Sequence, residues 1–291
     1  MNDTFEFRIP VGDWVSSAVD WLTSNLSALF GVIADVLRWL FETAEVVFTA
    51  PPFWLVIIVL AAIAFFAKSW KLALASALGF LLIFGMDQWD NAMATIALVL
   101  VASLIATLMA IPLGIWAARN GAVSKAVRPV LDFMQTMPAF VYLIPAVVLF
   151  RVGVVPGIVA TIIFSMAPGV RFTELGIRQV DREVVEAGHA FGATPGRILR
   201  QVQLPLALPT IMAGINQVIM LSLSMVVIAG MVGAAGLGQP VVQALSTINI
   251  ALGAEAGLAV VIVAMYLDRV TAALGERAPV SRAMKVRAAE D

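Results

Sequence analysis

The residues able to do chemistry in this chain gather in one polar stretch, from Arg171 to Pro205, which carries five arginines, Asp181, Glu183, Glu186 and the chain's single histidine, His189. With no cysteine there is no disulfide, thiolate metal site or thiol nucleophile. One histidine cannot build a multi-histidine metal cluster, and a membrane-embedded enzyme would need clustered His, Asp or Glu at depth. None of the four lysines, Lys68, Lys71, Lys125 and Lys285, follows the glycines of a phosphate-binding loop. If ATP is used, another polypeptide binds it. The stretch is instead built to dock. Asp181 predicts the cap of a helix containing Glu183, Glu186, Ala187, Ala190 and Phe191, with Ala187, Ala190 and Phe191 as a small apolar stripe. Gly192 ends that helix, and Thr194-Pro195 starts another in the favoured cap-then-proline order. A short helix of this kind, flanked by basic residues, suits a groove on a partner protein.

The elements that must position this stretch are hydrophobic. Of 291 residues, 61% are hydrophobic and 13% charged, with a mean hydropathy of +0.98. A soluble domain carries about 25% charged residues, so the chain is read as an all-α polytopic membrane protein. A bilayer core needs roughly 20 apolar helical residues. Seven candidate spans follow, at about 53–67, 72–86, 92–117, 133–150, 154–170, 206–232 and 250–267. Fifteen of the eighteen lysines and arginines fall on one side of this arrangement, leaving only Arg8, Arg38 and Arg151 on the other. Cytoplasmic loops carry such residues in excess, which predicts an outside N-terminus and a cytoplasmic C-terminus. The first residues lack the basic and apolar regions of a cleaved signal peptide. The chain divides into an extracytoplasmic amphipathic region (1–50), two accessory spans (51–88), a core (89–273) and a short solvated tail (274–291). In the first region Val15, Val19, Leu22, Leu26, Leu29, Ile33, Leu37 and Leu40 recur at helical spacing, while Asp20, Asp35, Arg38, Glu42 and Glu45 prevent spanning. This predicts one or two helices lying on the outer interface or packed on the spans as scaffold.

The polar stretch also resembles the EAA loop of ATP-binding-cassette (ABC) importer permeases. Glu186-Ala187-Gly188, then Gly192, then Val202-Gln203-Leu204-Pro205 keep that motif's spacing throughout, with Gly188 in place of the usual alanine and Val202 in place of isoleucine. Two further segments, from Asp132 to Pro145 and from Met225 to Gly238, are similar to the glycine betaine/proline betaine/choline branch, the quaternary-amine permeases. The resemblance implies a type I ABC importer transmembrane fold in the bacterial inner membrane, working as two permease copies with two cytoplasmic ATPases and an extracytoplasmic binding protein. ATP and Mg would sit on the ATPase, with no cofactor or metal on this chain and no nucleic acid as partner. Glu186, Ala187, Gly188, Phe191, Gly192, Leu204 and Pro205 are then the ATPase-docking residues.

Within the sixth span, Asn216, Gln217, Ser222, Ser224 and Met225 either line a pathway for a compact cation or hydrogen-bond and pack against neighbouring helices. Trp89, Trp116 and Tyr142 read as interfacial belt residues. Glu255 stands out as a carboxylate inside a hydrophobic run, and an intramembrane charge invites a functional reading. The run from Gly230 to Gly238 reads as a hinge, a close-packed gate or plain packing. Two rival functions remain at this point. One is an ABC permease for another small solute, such as the amino acid methionine. The other is an ion-coupled secondary transporter, which predicts inverted repeats and intramembrane charges.

Overall fold

A computed structural model describes residues 9–276. Thirteen α-helices run in chain order through these residues. The first two, α1 (Val11–Asn25) and α2 (Ser27–Thr49), are the amphipathic pair. Helix α1 buries no residue, whereas α2 buries Leu37 and Phe41 and packs along α5 (Trp89–Arg119). Pro51-Pro52 then turn the chain by 100° into α3 (Phe53–Ala67), which forms a hairpin with α4 (Trp70–Gly85). Ser69 caps α4 by accepting from the Leu72 N–H at 3.4 Å.

The core is α8 (Val154–Arg178), packed between α5 and α11 (Leu204–Ala229), with α13 (Ile250–Glu276) against α11. Small residues permit this packing. A side chain added at Gly114 of α5 would meet Thr173 Cβ at 2.6 Å and the Val170 carbonyl at 2.7 Å, and one at Gly214 of α11 would meet Phe172 Cβ at 2.6 Å. Membrane helices associate through such close approaches because lipid supplies no hydrophobic drive between them.

Between α5 and α8 the chain departs from the expected span at 133–150. Helix α6 (Gly121–Thr136) begins twelve residues earlier and is amphipathic. It ends at Met137, whose extended backbone (ψ 135°) is the conformation that the following Pro138 imposes. The chain bends by 108° there, passes through a single 3₁₀ turn at Ala139–Tyr142 and continues as α7 (Leu143–Phe150). Helix α8 also runs further than expected, to Arg178, so the connection after it begins at Gln179 and not at Arg171. Beyond α11, the turn at Gly230–Val232 leads to α12 (Gly238–Thr247), a short helix absent from the sequence reading.

Among the described residues four helical runs are long and apolar enough to cross a membrane: α5, α8, the continuous run 195–232 and α13. Counting each bent pair, α2 with α3 and α6 with α7, as one span raises the number to six. Seven spans were expected; α4 is too short to count by this measure, and the fourth expected span is broken at Pro138. The alternation of helices nonetheless gathers the ends of α5 and α8 that carry Arg119 and Arg178 at one pole, which also receives the start of α11. There Arg178 donates to the Ala117 carbonyl at 2.9 Å, and Gly176 lies against Ala207 and Thr210. At the opposite pole, Phe53, Phe84 and Trp89 form an aromatic cluster in which the two phenylalanines stack at 3.9 Å.

Candidate docking site and translocation face

The connection leaving α8 folds as its capping residues dictate. Asp181 accepts a hydrogen bond from the Glu183 N–H at 2.9 Å and starts α9 (Arg182–Ala190). Acidic Asp181 and Glu183 at this end also complement the helix dipole. The helix closes at Gly192, whose φ of +76° is left-handed, with the Ala193 N–H donating to the Gly188 carbonyl at 3.1 Å. Such a cap favours glycine because it carries no Cβ penalty. Thr194 then precedes Pro195 at the first position of α10 (Pro195–Ile198), which widens into a π turn at Leu199–Gln203 and runs straight into α11. Widening the turn ahead of Pro205 eases the clash a proline ring makes with the carbonyl four residues back. Leu204 and Pro205 thus open α11 within a continuous helical run from 195 to 232.

Helix α9 stands clear of the bundle, with none of its residues buried. Gly188 faces α10, where an added Cβ would meet the Ile198 side chain at 3.3 and 3.5 Å, close enough for a small shift of a flexible side chain to admit alanine. Glu186, Ala187 and Ala190 are exposed, and Phe191 at the tip is 92% exposed. On one side of α9 a cleft of about 290 Å³ is lined by Arg178, Val185, Glu186 and Gln203. Beyond the end of α9 a basic cleft of about 640 Å³ is lined by Gly192, Arg119, Arg197 and Arg200. An exposed aromatic tip close to both acidic and basic groups could supply a partner with an anchor and an orientation.

The five expected pathway residues separate. Asn216 is half-buried; its Nδ2 donates to Asp268 Oδ1 at 3.1 Å and its Oδ1 accepts from Thr271 Oγ1 at 2.5 Å, so it ties α11 to α13. Ser222 and Met225 are completely buried, and the Ser222 hydroxyl has no hydrogen-bond partner among the described residues. Only Gln217 and Ser224, two turns apart, lie on an exposed face of α11, together with Ala213, and that face is continued by exposed Met231 in the turn that follows. Glu255 is exposed in the second turn of α13 and not deep within it. Two carboxylates that the sequence reading passed over lie deeper: Asp268, bonded to Asn216, and Glu174, which is 6% exposed near the end of α8. The spacing of Arg171, Glu174 and Arg178 by three and four residues was the available sign that this segment is helix and that the three side chains share a face.

The Gly230 to Gly238 run is close-packed. An added Cβ at Gly230 would lie 2.3 Å from the Gly238 carbonyl carbon, and Thr95 Oγ1 of α5 accepts from the buried Leu237 N–H at 2.8 Å. This knot joins α5, α11 and α12 at the pole opposite α9.

Comparison with known proteins places the chain in a family. Residues 110–277, which include α9 and the connections on either side of it, match the family model described as "Binding-protein-dependent transport system inner membrane component". The glycine betaine/carnitine transport permease protein GbuB of Listeria monocytogenes is 49% identical over 93% of this chain and 97% of its own length. The glycine betaine transport system permease protein OpuAB of Bacillus subtilis is 48% identical, covering 91% and 94% respectively. The glycine betaine/proline betaine permease ProW of Escherichia coli is 43% identical over 92% of this chain and 75% of its own length. Among solved structures, an inward-facing form of the MetNI methionine ABC transporter superposes with a TM-score of 0.59 over 67% of this chain and 95% of that one, at 22% identity, which establishes the fold. The chain belongs to the binding-protein-dependent transport system inner membrane component family, the permease subunits of ABC importers, and is a transport subunit, not an enzyme.

Proposed function

We propose that this chain is the permease through which glycine betaine or a related quaternary amine, such as proline betaine, choline or carnitine, is imported at the expense of ATP hydrolysed by a separate ATPase. The observation that carries this reading is the similarity to two glycine betaine permeases along nearly the whole of both chains. In this reading two copies of the chain form the translocation unit, each seating α9 in one ATPase, and a binding protein delivers substrate from outside. The N-terminus lies outside and the C-terminus in the cytoplasm, so the docking loop and its basic cleft face the ATPase. Glu186, Ala187, Gly188, Phe191 and Gly192 make the contact, while Leu204 and Pro205 pass its movement into α11. Gln217 and Ser224 face the substrate pathway; Asn216 and Met225 hold the helix that presents them. ATP binding closes the ATPase pair and shifts the bundle between inward-open and outward-open states, which must differ by only a few kcal/mol for binding energy to invert them.

The test is to purify the chain with the ATPase encoded beside it and measure ATP hydrolysis with the binding protein present. Glycine betaine should stimulate hydrolysis, and methionine should not. Stimulation by methionine alone would reassign the substrate. The absence of any ATPase in the complex would reject the importer reading.

A further inference from the structure

Glu174 is an almost fully buried carboxylate that no part of the docking surface requires, and burying a charge is costly unless it is paired and hydrogen-bonded. Its partners come from two helices. Oε1 accepts from Ser124 Oγ at 2.7 Å and from an Arg128 guanidinium nitrogen at 3.2 Å, both on α6, and forms an ion pair with Arg178 Nε at 3.1 Å on its own helix. Arg178 in turn reaches the Ala117 carbonyl in the last turn of α5 at 2.9 Å. One turn away a second ion pair, Arg171 with Asp132, again crosses from α8 to α6. The apolar contact between these two helices is centred on buried Leu131, Ala167 and Val170.

We infer that Glu174, with Arg178 and the Arg171–Asp132 pair, is the strut that carries movement of the docking loop into the broken span α6–α7. This rests on the reading of α9 as the ATPase-docking helix. Only Gln179, Val180 and Asp181 separate Arg178 from α9. A displacement of α9 therefore acts on the end of α8, and charge-assisted hydrogen bonds are directional enough to hand it to α6 in register. At its far end α6 meets the bend at Pro138, which the Tyr142 hydroxyl spans by donating to the Met134 carbonyl at 2.5 Å. Movement of α6 thereby reaches the segment 139–150. Glu174 and Asp132 are positioning residues: they touch neither ATP nor substrate, and their loss separates hydrolysis from transport.

The experiment uses the whole transporter, permease with ATPase and binding protein, in lipid vesicles, and reads glycine betaine imported per ATP hydrolysed. Glu174→Gln keeps the side-chain shape and removes the charge. It should still assemble with the ATPase and hydrolyse ATP, while the transport ratio falls about tenfold or more, as expected for losing one charge-assisted hydrogen bond from a coupling path. Asp132→Arg and Arg171→Asp should each lower the ratio, and the double exchange D132R/R171D should restore it, with ATPase assembly and the thermal transition unchanged in the single variants, whereas a merely structural role predicts that those two readouts fall with the ratio. A wild-type ratio in Glu174→Gln, or a double exchange no better than either single change, would overturn the strut while leaving the importer reading intact. If the wild-type chain binds no ATPase, both readings fall together.

Discussion

Phe191→Ala isolates the docking surface, because Phe191 is 92% exposed at the tip of α9 and its loss should leave the fold undisturbed. Substitutions at surface positions of this kind change stability by about 0.5 kcal/mol or less. Complete burial of a phenylalanine side chain contributes about 1.5–3 kcal/mol, and almost all of that side chain is free to be buried by a partner. Aromatic anchors at the centre of interfaces reach the upper part of this range. At about 1.4 kcal/mol per factor of ten, the expected weakening of the permease–ATPase complex is about 10- to 100-fold. The assay is titration of the purified ATPase onto the permease in lipid nanodiscs, with the thermal transition of the permease alone as control. An unchanged affinity at unchanged stability would refute the placement of Phe191 in the interface. A lowered thermal transition would refute the claim that it is free of the bundle.

Three further outcomes follow from the same geometry. Gly192→Ala meets no atom within 4 Å but must hold φ near +76°; the strain of about 1–2 kcal/mol should appear as weaker ATPase binding with membrane insertion unchanged. Thr95→Val removes the acceptor of the buried Leu237 N–H; an unsatisfied buried donor costs about 1–3 kcal/mol, read as a lower thermal transition of the detergent-purified permease. Asn216→Leu leaves Asp268 and Thr271 without their α11 partner, and should destabilise the chain more than Gln217→Leu, which alters an exposed face. Equal losses in those two variants would contradict the division of α11 into a packing side and an open side.

What could be read from the sequence was what local chemistry decides. The limits of α9 follow from Asp181, Gly192 and Thr194-Pro195, each acting on its own backbone within a few residues. The long apolar helices α5, α8, α11 and α13 follow from hydropathy alone. Helix α6 escaped because Lys125, Arg128 and Asp132 interrupt its apolar run, and its stability comes from α8, with hydrogen-bonding partners 46 and 50 residues away. The burial of Glu174 was illegible for the same reason: nothing beside it in the chain shows that Ser124 and Arg128 will cover it. The five pathway candidates on α11 looked alike by residue type. Which of them packs and which faces outward depends on where α13 lies, and Asp268 decides it for Asn216.

The central claim is that this chain moves its solute by coupling to an ATPase through α9. The most direct measurement is uptake of labelled glycine betaine into vesicles holding the permease, its ATPase and its binding protein, with ATP supplied at the ATPase face and ion gradients collapsed. The account predicts accumulation that requires ATP and is abolished by the Glu186→Ala, Gly192→Asp double change, with both forms inserted equally. Uptake that proceeds without ATP and follows an imposed ion gradient would contradict it.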